Sequence, residues 1–98
     1  MPKYLITWEI ESARTPIDPK ERGKMWTQML SLIQQDMKDG KTTDWGSLPG
    51  EGKGYSISEQ SALDLSKNLQ RFSPFIKFQV NQVMTLAETI ELSKSLME

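Results

Sequence analysis

The chain has 98 residues, 12 of them basic and 13 acidic, for a formal net charge of −1, with 37% hydrophobic and 26% charged side chains. That length supports one domain, residues 1–98, around a single modest core, and the composition is that of a folded chain rather than a disordered one. There is no Cys and no His, which excludes disulfides, thiol nucleophiles, imidazole bases and the commonest zinc and iron ligands.

Catalysis, if there is any, has to rest on carboxylates, Tyr, Lys, Ser or Thr, a bound cofactor, or the substrate's own groups. No motif calls for a cofactor or a metal. The near balance of charge argues against a domain built to hold a nucleic-acid backbone. No apolar run approaches the roughly 18 residues of a spanning helix. Residues 1–4, Met-Pro-Lys-Tyr, lack the apolar core of a signal peptide. The expected setting is the cytoplasm, without membrane contact.

In chain order, Lys3 to Ile10 is a strand: Tyr4, Ile6, Trp8 and Ile10 alternate with Leu5, Thr7 and Glu9. The first set should meet the core and the second a half-open face. Residues 11–17, with Ser12, Thr15 and Pro16, make a surface loop. Asp18, Pro19 and Glu21 then form a helix start, with a cap, a proline at the first helical position and a capping-box glutamate. Trp26, Met29, Leu30, Ile33 and Met37 follow at helical spacing, and Gly40 supplies the stop.

The middle of the chain, Asp44 to Ile57, reads as a hairpin. Short strands at 42–47 and 53–57 are joined by a turn rich in Pro49, Gly50, Gly52 and Gly54. Ser58 is the predicted cap of a second helix with a stripe of Ala62, Leu65, Leu69 and Phe72, which Ser73-Pro74 ends. Phe75 to Val83 is the last strand. Thr85 and Glu88 form a capping box for a C-terminal helix with Leu86, Ile90 and Met97 on one side. The order β-α-β-β-α-β-α predicts an α+β, ferredoxin-like plait with an extra C-terminal helix. Both central helices should cover one face of a four-stranded antiparallel sheet. The other face is left to bind something or to meet another subunit.

Three segments carry a resemblance: Tyr-Leu-Ile-Thr-Trp-Glu-Ile at 4–10, Trp45-Gly46 leading to Gly54-Tyr55-Ser56-Ile57, and Phe75-Ile76-Lys77-Phe78-Gln79-Val80 with the acidic helix after it. On these the chain resembles the small dimeric α/β-barrel proteins, nearest to a short uncharacterised family among them. The loop at 11–17 and the first helix look longer than that family's pattern. The resemblance implies a homodimer whose two sheets face each other around a cavity, which in related families holds a small organic molecule. Relatives include cofactor-free monooxygenases, lactone isomerases and ligand-sensing domains, so the fold does not choose a function. No catalytic motif carries over, because the histidines that several relatives use are absent.

Among candidate sites, Gly50 to Gly54 does not make a phosphate loop. A strand rather than a helix follows it, and no Lys-Ser/Thr pair closes it. Lys53 to Ile57 touches the RNA-recognition signature but departs from it at Ser58, Glu59 and Gln60. Trp8 fits core packing first, while Trp45 and Tyr55 suit the walls of a ligand site. Glu9 and Asp44 are carboxylates in or beside strands, where a charge is exposed or in use. The expected function is binding of a small, largely apolar organic molecule in a cavity between the sheets of a homodimer, with room for cofactor-free chemistry. In it Glu9 would be the base, Thr7 and Asp44 polar contacts, and Trp45 and Tyr55 stacking walls. An assembly or regulatory module that uses the sheet face only to dimerise stands second, and RNA binding third.

Overall fold

A computed structural model describes residues 1–98 and has the predicted order of elements. Strand β1 (Lys3–Ile10) leads through a single 3-10 turn at Ser12–Arg14 to helix α1 (Pro19–Lys38). Strands β2 (Thr42–Ser47) and β3 (Lys53–Glu59), helix α2 (Ala62–Gln70), strand β4 (Ile76–Val83) and helix α3 (Leu86–Ser95) follow. The sheet runs β2-β3-β1-β4 and is antiparallel throughout, the order of a ferredoxin-like plait.

Register sorts the two faces of the sheet, because residues directly opposite one another point the same way. Ile6 stands opposite Ser56 and Val80, and Trp8 opposite Gly54 and Phe78. These positions face the helices, as the alternation in β1 predicts. Leu5 stands opposite Ile57 and Asn81, and Thr7 opposite Tyr55 and Gln79, on the outer face.

The caps explain where the helices begin. The Glu21 N–H donates to Asp18 Oδ2 at 3.4 Å with Pro19 in the first turn, and Gly40 (φ 78°) turns the chain out of α1 in a conformation glycine alone adopts freely. The second helix begins later than the sequence predicts. Its cap is Ser61, whose hydroxyl accepts from the Asp64 N–H at 3.1 Å, and Ser58 is part of β3. The cause is continued pairing beyond Ile57. The Glu59 N–H donates to the Lys41 carbonyl at 3.1 Å, and the buried Ser58 hydroxyl donates to the same carbonyl at 2.9 Å.

The core is thin. Ile6, Leu65 and Phe72 are the only large apolar side chains fully buried. Phe72 meets Phe78 edge to face, with centroids 6.0 Å apart, an arrangement worth about 1 kcal/mol beyond its burial. Trp26 and Leu30 of α1 stay 37% and 46% exposed although they lie on its apolar stripe. Every residue from Met84 to Glu98 is exposed, and the chain measures 61 × 25 × 19 Å. No helix is long and apolar enough to cross a membrane.

Candidate site: an apolar cavity between helices and sheet

The hairpin decides what lines the site. The Leu48 N–H donates to the Lys53 carbonyl at 2.9 Å, which leaves residues 49–52 in the loop, with Gly50 (φ 74°) and Gly52 (φ 62°) in the left-handed region. An even number of loop residues sets Gly46 opposite Tyr55 and Trp45 opposite Ser56. Tyr55 therefore points outward and Trp45 inward. A bulge between Thr42 and Asp44 shifts the register by one, so that Thr42, opposite Ser58, also faces inward.

Inside, Trp45 lies flat against Trp8, with ring centroids 5.3 Å apart and planes 10° from parallel. The Trp8 indole N–H donates to the Tyr55 carbonyl at 3.3 Å. Gly54 makes room for this ring, since a Cβ there would sit 2.6 Å from one indole carbon and 2.8 Å from another. Glycine within a strand marks such a close approach.

The two indoles floor a cavity of about 720 Å³ between sheet and helices. Trp26, Met29, Leu30 and Ile33 of α1 wall it on one side, and Leu65 and Leu69 of α2, with Phe72 in the turn after it, on the other. Phe78 and Ile76 of β4 close its far end, and residues 48–52 of the hairpin loop form its lip. The polar groups at its border are satisfied. The Arg71 guanidinium donates to Asp36 Oδ2, donates through Nε to the Asn68 carbonyl at 2.9 Å, and lies 5.3 Å from the Phe72 ring centre. Asn68 donates to Gln60 (3.2 Å) and Gln60 to the Ser58 hydroxyl (2.8 Å), which continues to Lys41. No buried side-chain nitrogen or oxygen is left without a partner.

Four of the five predicted site residues lie on the other side of the sheet. The Tyr55 hydroxyl donates to Asp44 Oδ2 at 2.8 Å, and the Trp45 N–H donates to Asp44 Oδ1 at 2.9 Å. Donation to Asp44 holds the phenol's proton and raises its pKa above the ordinary tyrosine value; desolvation and the carboxylate's charge act in the same direction. The Tyr55 ring covers Gly46, where a Cβ would lie 3.0 Å from its Cζ. Thr7 is exposed beside Tyr55, and Glu9 is exposed between Lys53 and Lys77. Lys77 is held by Glu11 at 3.2 Å, and that hydrogen bond lowers the Glu11 pKa.

Trp45 and Tyr55 are thus not two walls of one pocket. The sequence shows both as hairpin aromatics but not the parity of the loop that sends them to opposite faces. Tyr55 is also the only aromatic among the paired outer-face positions of the sheet, where base stacking needs two or three. The walls supplied by α1 were legible only as a core stripe. Asp36 and Arg71 belong to no sequence motif, although Asp36 sits one turn beyond Ile33, where a carboxylate on an apolar stripe is a signal. No three carboxylates converge as a metal site would require.

The fold and the cavity define a ferredoxin-like α+β domain with an apolar chamber under its helix layer. No family model and no curated protein matches the chain.

Proposed function

We propose that the protein binds a small, flat, largely apolar organic molecule, and that the site lies between helices and sheet within one chain. The observation that carries this is the cavity of about 720 Å³ floored by the Trp8–Trp45 pair. Ligand sites fall in the range of roughly 300–1,000 Å³, with mostly apolar linings and few polar groups. The upper face of the indole pair offers a planar partner for stacking, and Thr42 and Ser56 offer hydroxyls beside it. Such a site needs no sheet-to-sheet pairing to enclose its ligand. Its chemistry is read as recognition: Glu9 and the Asp44–Tyr55 pair stand on the opposite face, and of the two carboxylates on the cavity's edge Asp36 is held by Arg71 and Glu51 is exposed at the lip.

The test uses 1-naphthol, 2-naphthoic acid and 1,4-naphthoquinone as probes. Binding should quench tryptophan emission and raise the melting temperature, by about 2.7 kcal/mol of added stability at a hundredfold excess over Kd. Trp45→Leu should abolish most of the quenching. No quenching and no thermal shift from any of the three would sink the proposal.

A second reading, an assembly module that pairs copies through the outer face, is favoured by Leu5 and Ile57. These stand directly opposite each other at its centre, half-buried, with charged rows at 3/59 and 9/53 on either side. Under it, Ile57→Lys lowers self-association and leaves probe binding intact.

A further inference from the structure

The polar residues at the border of the cavity form a closed circuit. The Asp36 carbonyl, near the end of α1, accepts from the Lys41 N–H at 2.9 Å, and the Lys41 carbonyl accepts from the Ser58 hydroxyl. Ser58 accepts from Gln60, Gln60 from Asn68, and the Asn68 carbonyl from Arg71 Nε. The Arg71 guanidinium then returns to the Asp36 carboxylate. The circuit ties α1, β3 and the end of α2 together, and Asp36, Ser58, Gln60, Asn68 and Arg71 all line the chamber.

Each of these groups has a partner, yet the ion pair keeps bonding capacity in reserve. Joining two helices does not require such a pair, since well-packed apolar residues of similar volume do as well or better. What the pair leaves open is therefore informative. Asp36 Oδ2 takes the Arg71 bond, whereas Oδ1 makes none. Asp36 is only 6% exposed, and no buried side-chain oxygen in the chain lacks a partner. Oδ1 is therefore an accessible atom, and the space that Asp36 borders is the chamber. Arg71 carries five N–H donors in one rigid plane. Its bonds to Asn68 and Asp36 use one on Nε and one on Nη2, which leaves the second on Nη2 and both on Nη1. An open acceptor thus adjoins open donors, and the two formal charges cancel.

Strand register gives the distance from this pair to the stacking floor. Trp45 stands opposite Ser56 and Thr42 opposite Ser58, all on the inward side. Two residues of strand span about 7 Å, close to the length of a fused bicyclic ring. Asp36 is tied to the Ser58 position through Lys41. A flat bicycle lying on the indoles therefore brings one rim to the Asp36–Arg71 pair.

We propose that the chamber selects a neutral bicyclic heteroaromatic with a cyclic amide on that rim, its N–H donating to Asp36 Oδ1 and its C=O accepting from Arg71. This choice of ligand rests on the stacking site proposed above and adds the chemical class that the site takes. A carboxylate on the rim would set a second negative charge beside Asp36, and an ammonium a second positive one beside Arg71. A ring without the N–H would cover Oδ1 and leave it unpaired, the costly case for a charged group. An edge with a donor beside an acceptor satisfies both residues.

The test measures binding by calorimetry with 2-quinolone, N-methyl-2-quinolone and 1,4-naphthoquinone. The parent should bind 2-quinolone at least tenfold more tightly than either of the others, the effect of one hydrogen bond to a charged group. Asp36→Asn keeps the size of the side chain and an oxygen for Arg71, but turns an N–H toward the chamber. The preference over N-methyl-2-quinolone should vanish in it, whereas a preference caused by the bulk of the methyl group would survive. Asp36→Leu combined with Arg71→Met replaces the pair with apolar side chains and keeps the test open if the single variant does not fold. There the three probes should bind alike. Equal binding of 2-quinolone and its N-methyl form by the parent, with naphthoquinone also bound, overturns the amide edge and leaves the stacking site standing. A preference that persists in Asp36→Asn overturns it as well. No binding of any of the three probes overturns the stacking site and the amide edge together.

Discussion

Gly54→Ala tests the packing on which the site rests. The added Cβ would lie 2.6 and 2.8 Å from two Trp8 ring carbons, and it would also strike the Gly46 carbonyl of the neighbouring strand. Ordinary contact begins near 3.5 Å. The indole can swing aside, but the carbonyl belongs to the sheet, so the strands must also part. Overpacking costs about 1–3 kcal/mol, and a backbone obstacle places this variant at the upper end. At about 4–8 °C per kcal/mol for a domain of this size, the melting temperature should fall by about 12–24 °C. Near-ultraviolet circular dichroism, which reports the coupling of the stacked indoles, should weaken in parallel. Gly23→Ala is the matched control: nothing lies within 4 Å of its added Cβ, in the interior of α1. That change should stabilise by about 1 kcal/mol, from helix propensity alone. A Gly54→Ala protein that melts within about 3 °C of its parent and keeps its tryptophan signal would refute the close approach.

Two further predictions address charged contacts. Arg71→Met keeps bulk in the cavity wall but leaves Asp36, 6% exposed, without its partner. It should cost about 3 kcal/mol in urea denaturation, and Asp36→Leu combined with it should recover most of the loss. The raised Tyr55 pKa means that its hydrogen bond contributes stability fully below the ordinary tyrosine value, and that this is lost as pH rises through the higher folded-state value. Asp44→Asn should return the phenolate absorbance titration of Tyr55 toward about 10; an alkaline titration identical to the parent's would show that the contact is not formed.

Much of the fold was legible because local signals agreed. The alternation in β1, the Asp18 and Thr85 caps and the stop at Gly40 each specify one outcome from adjacent residues. What escaped depended on pairing. Ser58 and Ser61 are both able caps, and only the bond from Glu59 to Lys41 decides between them. The faces of Trp45 and Tyr55 turn on whether the hairpin loop holds an even or odd number of residues, which glycine content leaves open. The polar border of the cavity, Asp36 with Arg71 and Gln60 with Asn68, joins residues 35 and 8 positions apart. The first partnership exists only once α1 and the end of α2 share a face, and the second only once the chain has turned from β3 into α2.

The hairpin tip has a consequence for how this scaffold can change. The floor of the cavity belongs to paired strands, where a single added methyl group is costly, whereas its lip is a four-residue turn held by Gly50 and Gly52. Residues can be added to or exchanged in that turn without disturbing the ladder beneath. What is admitted to the chamber can therefore diversify separately from what keeps the sheet intact, and related chains could come to differ in selectivity while retaining the same foundation.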